Sequence, residues 1–282
     1  MSRLAAPLIV ALLGLAAPAH AAPPPARPQP CVVPGAGHTL AQAWRPGLLA
    51  AIAYAHRRRG DIAFAVRDAG GGFYSYRPDH QEWSASVLKA MLLVAYLDRP
   101  SVAYRALDSN EDATLRAMIT RSDNEAADAI DAIVGADGLR ALARRAGMTA
   151  FVPAEPIWGE SLITARDQTR FFLRIDALLA PRHRAYAMQL LASIVPSQRW
   201  GIGEVAPRGW RLYFKGGWGA GTGLIDNQVA LLTRGCARLS VAVLTMHDGS
   251  HAYGKETLRG IFSRLLRRLP ARPPSAAQRV GR

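Results

Sequence analysis

Ser86-Val87-Leu88-Lys89-Ala90-Met91-Leu92-Leu93-Val94-Ala95-Tyr96-Leu97 is apolar almost throughout, with a serine at its start and a lysine three residues on. Helical spacing puts Ser86 and Lys89 on one face of a single turn. A serine hydroxyl becomes a useful nucleophile only when a neighbour takes its proton. A lysine can do so once burial or a second cation lowers its pKa. A serine opening a helix also holds a developing oxyanion beside free backbone N–H groups. The plainer alternative is a capping serine with a surface lysine.

Outward from this segment, apolar spacing stays mostly helical as far as Ile194, in pieces near 86–97, 111–119, 124–134, 137–146, 167–179 and 183–194. On the N-terminal side a helical pattern runs from Leu40 to Arg59, with Pro46 starting or bending its second part and Gly60 stopping it. Asp61–Arg67 alternates as a strand, Ala69–Gly72 turns, and Phe73–Arg77 returns as its hairpin partner. On the C-terminal side, strand patterns at Trp210–Lys215, Gln228–Thr233 and Leu239–Thr245 precede a last helix from Tyr253 to Arg268. This order predicts an α+β fold, with a five-stranded antiparallel sheet flanked by the first and last helices. An all-helical subdomain, about 84–204, is expected beside it. A cleft between the two parts is where a site belongs.

Composition narrows the chemistry. The 282 residues are half hydrophobic and a fifth charged, which suits a globular chain and excludes a collagen, a coiled coil or a mostly disordered protein. The 35 basic residues include only three lysines, Lys89, Lys215 and Lys255. A chain that uses arginine for generic charge has a reason for each lysine, because lysine can lose its proton and arginine cannot. Two further motifs stand where the cleft is expected. Ser122-Asp123-Asn124 follows the apolar turn Met118-Ile119-Thr120, and by itself would read as a helix cap. Lys215-Gly216-Gly217 ends a strand and leads through Trp218 into a glycine-rich run to Gly223, where a ligand or another backbone can approach closely. Alone it would read as a strand ending in a loose turn.

The three motifs, in this order, resemble the S-x-x-K, S-D-N and K-T-G signature of penicillin-recognising enzymes. The chain resembles class A β-lactamases and their penicillin-binding relatives over about residues 39–268. Met118–Ala127 is similar to the family's loop segment, and Thr164–Asp167 to the start of the helix after its omega loop. The resemblance implies that Ser86 is the acylated nucleophile and Lys89 its base. It implies that Ser122 passes a proton to the leaving nitrogen and that Asn124 orients Lys89 and a substrate amide. Lys215 would hold Ser122, project a charge toward a substrate carboxylate and help depress the Lys89 pKa. Gly217 belongs to the substrate-binding strand, and the N–H groups of Ser86 and Trp218 would form an oxyanion hole.

Two departures stand out. Gly216 replaces the hydroxyl residue of the third motif. The stretch between Gly147 and Thr164 is short and lacks the E-x-x-L-N motif, whose glutamate activates the deacylating water in class A enzymes. Glu155 and Glu160 lie in that region without the expected context, and are the candidates for a deacylation base. Without such a base, acylation would outrun hydrolysis.

The N-terminus has the proportions of a secretory signal: Arg3, an apolar run from Leu4 to Leu15, and Ala19-His20-Ala21 before a cleavage point. A Pro/Gly-rich linker (22–38), a hydrolase domain (39–269) and a disordered basic tail (270–282) follow, and a secreted location is expected. Cys31 and Cys236 could then close a disulfide or remain separate buried thiols. The net charge of +14, less that of Arg3, leaves +13 on the mature chain. Charge of that size would draw an exported protein toward an anionic cell wall. No aromatic–basic interleaving points to nucleic acid. His247-Asp248 and His251 make too small a cluster for a metal, so neither metal nor cofactor is expected. Trp200 and Trp218 are the tryptophans expected to line the cleft. A monomeric serine hydrolase acting on a β-lactam or a D-Ala-D-Ala-like peptide follows. A DD-peptidase, a small-acyl esterase and a non-catalytic cell-wall binder are the alternatives.

Overall fold

The computed structural model describes residues 40–219, 224–267 and 269. The expected signal peptide, linker and basic tail lie outside the described residues, as do the run 220–223 and Cys31, and with Cys31 the choice between a disulfide to Cys236 and two separate thiols.

Helix α1 (Leu40–Ala55) leads through Gly60 (φ +96°) into strand β1 (Asp61–Asp68), which pairs with β2 (Phe73–Tyr76). Three long strands close the chain: β5 (Arg211–Gly219), β6 (Ile225–Arg234) and β7 (Ala237–Met246). Together they form one antiparallel sheet in the order β2-β1-β7-β6-β5. Helix α8 (His251–Leu266), capped by Ser250, packs on α1 and against β6 and β7. Helix α5 (Ala165–Leu173) packs against β1, β6 and β7. Residues of both parities are buried along Ile62–Val66 and along most of β6 and β7, because helices cover both faces of the sheet. The alternation read at Asp61–Arg67 is therefore not a wet face and a dry one.

The intervening block is helical: α2 (Leu88–Leu97), α3 (Ser109–Thr120), α4 (Asn124–Ala146), α6 (Pro181–Ala192) and the short α7 (Ile202–Val205). Caps explain where these helices start. Asp108 accepts from the N–H groups of Asn110 and Glu111, and the Glu111 carboxylate accepts from the Asp108 N–H, a reciprocal capping box. Asp123 caps α4 by accepting from Ala126 N. Gly135, at φ +61° and ψ 173°, breaks α4 in the middle, which accounts for the two separate helical patterns read there. Nine of the ten residues of α2 are buried, so it runs through the core.

Several boundaries differ from the sequence expectation: α1 ends at Ala55 and not Arg59, and β5 runs past the strand end expected at Lys215, on to Gly219. Ser86 lies in a 3-10 turn, Ala85–Val87, just before α2 instead of on its first α-turn. The helix expected over 167–179 ends at Leu173. The helical block is interrupted by β4 (Leu162–Thr164), paired antiparallel with β3 (Gln81–Trp83). That two-stranded ribbon ties the segment before Ser86 to the segment after the 147–160 loop. Among the described residues no helix is long and apolar enough to cross a membrane.

Candidate active site

The 3-10 turn that carries Ser86 is pinned from two sides. Ser84 N–H donates to Ser161 O at 2.8 Å, and Asn227 Nδ2 donates to Trp83 O at 2.8 Å. Ala85 is held at φ +43°, a conformation alanine adopts only under constraint. Strand β5 then approaches very closely. A Cβ on Gly217 would lie 2.7 Å from both Ser86 N and Val87 N. Glycine is required here because it lets the strand lie against those amides. We expect Gly217→Ala to displace the Ser86 amide and cut acylation by about 10²-fold or more, the usual cost of losing one oxyanion donor. Acylation rates read by intact mass, with circular dichroism to check the fold, test this.

Lys89 is completely buried one turn after Ser86. Its Nζ donates to Asn124 Oδ1 at 2.7 Å, to Ser122 O at 2.5 Å and to Ser122 Oγ at 3.4 Å. Ser122 sits at φ +59° between α3 and α4, and this left-handed turn aims its hydroxyl back at the two lysines. Lys215 Nζ reaches the same hydroxyl at 3.0 Å and donates to Gly216 O at 2.8 Å. Burial pulls the Lys89 pKa down to about 8, against the opposing charges of Asp123 and Asp128. Lys215 is pushed well below the ordinary lysine range by burial and then by the Lys89 charge. Its side chain is 1% exposed, so it does not project into the cleft as expected from the sequence; it lies beneath the floor, under Ser122. A Cβ at position 216 would lie in ordinary van der Waals contact with the Trp200 ring, at 3.4 Å.

A cleft of about 390 Å³ opens over Ser86. Asn124 and Asp128 line it from α4, Pro156 to Gly159 from the loop before β4, and Trp218 and Gly219 from β5. Trp158 lies 5.1 Å from Lys89 Nζ, measured to the ring centroid, and its Nε1–H donates to Asp128 Oδ1 at 2.7 Å. Of the two carboxylates expected as deacylation bases, Glu155 is exposed and Glu160 half-buried; neither lines the cleft. Trp158 faces Lys89 there instead.

Trp218 closes the other wall. It packs edge-on to Trp200 at 5.7 Å and stacks on His251 at 5.8 Å. His251 Nδ1 lies 2.6 Å from Asp226 Oδ1, and Asp226 is the cross-strand partner of Trp218. Burial and the nearby Asp248 push the Asp226 carboxyl up to about 8. His247 lies instead against Asp61, at 3.0 Å. Sequence reasoning passed over Asp128, Trp158 and Asp226. Asp128 did carry a signal: it stands four residues after Asn124, on the same face of α4.

Comparison with known proteins bears on the fold and family. A β-lactamase from Sphaerobacter thermophilus is 22% identical and superposes with a TM-score of 0.66 over 78% of this chain and 96% of its own. A class A β-lactamase of the last common ancestor of Gram-negative bacteria is 22% identical, with a TM-score of 0.63 over 78% of this chain and 97% of its own. At such identities the likeness establishes the fold. No curated protein sequence matches the chain significantly. The family model described as "Beta-lactamase enzyme family" matches residues 110–269, more than half of the chain. That span contains Ser122, Asn124, Lys215 and Trp218 and begins after Lys89, so the Ser86–Lys89 pair rests on the geometry above. With fold and family model in agreement, the chain belongs to the β-lactamase enzyme family of serine hydrolases.

Proposed function

We propose that the protein opens β-lactam amides through an acyl-Ser86 intermediate. The observation that carries this reading is the buried pair Lys89 and Lys215 converging on Ser122 Oγ, one turn from Ser86 and walled by Gly217. In this reading, neutral Lys89 takes the Ser86 proton as Oγ attacks the carbonyl carbon. The carbonyl oxygen becomes an oxyanion held by the Ser86 and Trp218 N–H groups. As the C–N bond breaks, Ser122 delivers a proton to the departing nitrogen and is reprotonated from the lysine pair. Asn124 keeps Lys89 in place through its 2.7 Å hydrogen bond. The substrate is a small molecule, and a monomer suffices because every named group comes from one chain. The segment 1–21 would direct the protein out of the cell, with the mature chain starting at Ala22.

The test is intact mass of the protein after incubation with a penicillin, beside a chromogenic cephalosporin assay and the Ser86→Ala variant. Colour without a lasting adduct supports a hydrolysing β-lactamase. A lasting Ser86-dependent adduct supports a DD-peptidase-like enzyme that traps the drug. Neither signal would overturn the proposal and favour the esterase or the silent cell-wall binder.

A further inference from the structure

We infer that Asp128 is the base that activates water for hydrolysis of the Ser86 acyl-enzyme, with Trp158 as the residue that aims it. The inference rests on the acyl-serine reading above. An ester of Ser86 is hydrolysed at a useful rate only if a positioned base takes a proton from the attacking water. Lys89 is not free for this role, because it must hand a proton back to Ser86 Oγ as the ester bond breaks. Among the residues lining the cleft, Asp128 is the one carboxylate. It stands one turn after Asn124, on the wall of α4 that faces the cleft. Its Oδ1 accepts the Trp158 N–H, and its Oδ2 has no hydrogen bond among the described residues. One oxygen is therefore fixed by an indole that itself packs near Lys89, and the other is free to accept from water.

The step balances without a cofactor. Asp128 Oδ2 takes one proton from water, and the water oxygen bonds to the acyl carbon. The ester C–O bond then breaks, and Ser86 Oγ recovers a proton through Lys89. Asp128 supplies that proton, relayed through Lys89, and the carboxylic product sheds its own to solvent as it leaves. One water is consumed, and both residues return to their starting states.

Asp128→Asn separates the two roles, since the amide oxygen still accepts from Trp158 while the base is lost. With a penicillin and intact-mass readout, we expect Asp128→Asn to acylate at a rate near wild type and then keep its adduct about 10²-fold longer or more. Asp128→Glu should restore part of the hydrolysis. Trp158→Phe, which removes the N–H donor, should lengthen the adduct lifetime by a smaller factor. A thermal melt accompanies each variant. If Asp128→Asn clears its adduct as fast as wild type, or if Glu155→Gln holds the adduct instead, the assignment is wrong. A wild-type adduct that never clears overturns it too, but leaves the acyl-serine reading standing. Absence of any adduct or turnover in the wild-type protein overturns both.

Discussion

Ser86→Ala is expected to abolish acyl-enzyme formation, lowering turnover of any β-lactam by at least about 10⁴-fold, while the protein stays folded. Both halves of that expectation follow from the geometry. The loss is large because no other hydroxyl can replace Ser86 Oγ at that point. Ser122 Oγ is turned toward Lys215 and Lys89, and its backbone is locked at φ +59°. The fold should survive because Ser86 Oγ makes no hydrogen bond to another described residue, so alanine orphans no partner. The turn itself is held by the backbone bonds of Ser84 and Trp83, which the substitution does not touch. A change in stability within about 1 kcal/mol is therefore expected, read as a melting temperature within a few degrees of wild type. Residual acylation in this variant would mean that the nucleophile has been misassigned.

Much of this architecture was legible because local signals agreed with one another. Gly60, the turn at Ala69–Gly72 and the helix cap in Ser122-Asp123-Asn124 punctuate the chain where its elements begin and end. The scarcity of lysine was the strongest chemical signal. Lys89 and Lys215 are both sealed in the interior, where arginine would hold its charge permanently. What stayed hidden depends on contacts distant in sequence. The sheet order β2-β1-β7-β6-β5 brings the first and last strands together, and no local pattern encodes that pairing. The β3–β4 ribbon is three residues on each side, too short to show a period. Lys215 looked like a cleft charge because strand alternation cannot say that Ser122, 93 residues away, will cover its end. The loop at 155–160 was searched for a glutamate because of a resemblance, while Trp158 and the helical neighbour Asp128 met in the cleft.

Lys89→Arg and Lys89→Ala are both expected to reduce acylation by about 10³-fold, and the equality of the two is the informative part. Arginine keeps a cation near Ser122 and Asn124 but cannot give up a proton, so it supplies the charge of Lys89 without its basicity. If Lys89 served only to attract or position, Lys89→Arg would retain most of the rate. The wild-type pH profile carries the same information. Burial sets the Lys89 pKa near 8, so acylation should climb about tenfold per pH unit below that value and level off above it. The shift also fixes how stability depends on pH. The folded protein releases the Lys89 proton near pH 8, whereas the unfolded chain holds it to about 10.5. Between those values the unfolded state binds more protons, so stability rises with pH across that window. Lys89→Ala should flatten the part of this rise that Lys89 contributes. Lys215 then remains, its pKa moving upward once the repulsion from Lys89 is gone. Chemical denaturation at several pH values between 7 and 10.5, in wild type and Lys89→Ala, measures that difference directly. An unchanged slope would mean that Lys89 is charged in the folded protein throughout the window, and an amine that keeps its proton cannot be the base for Ser86.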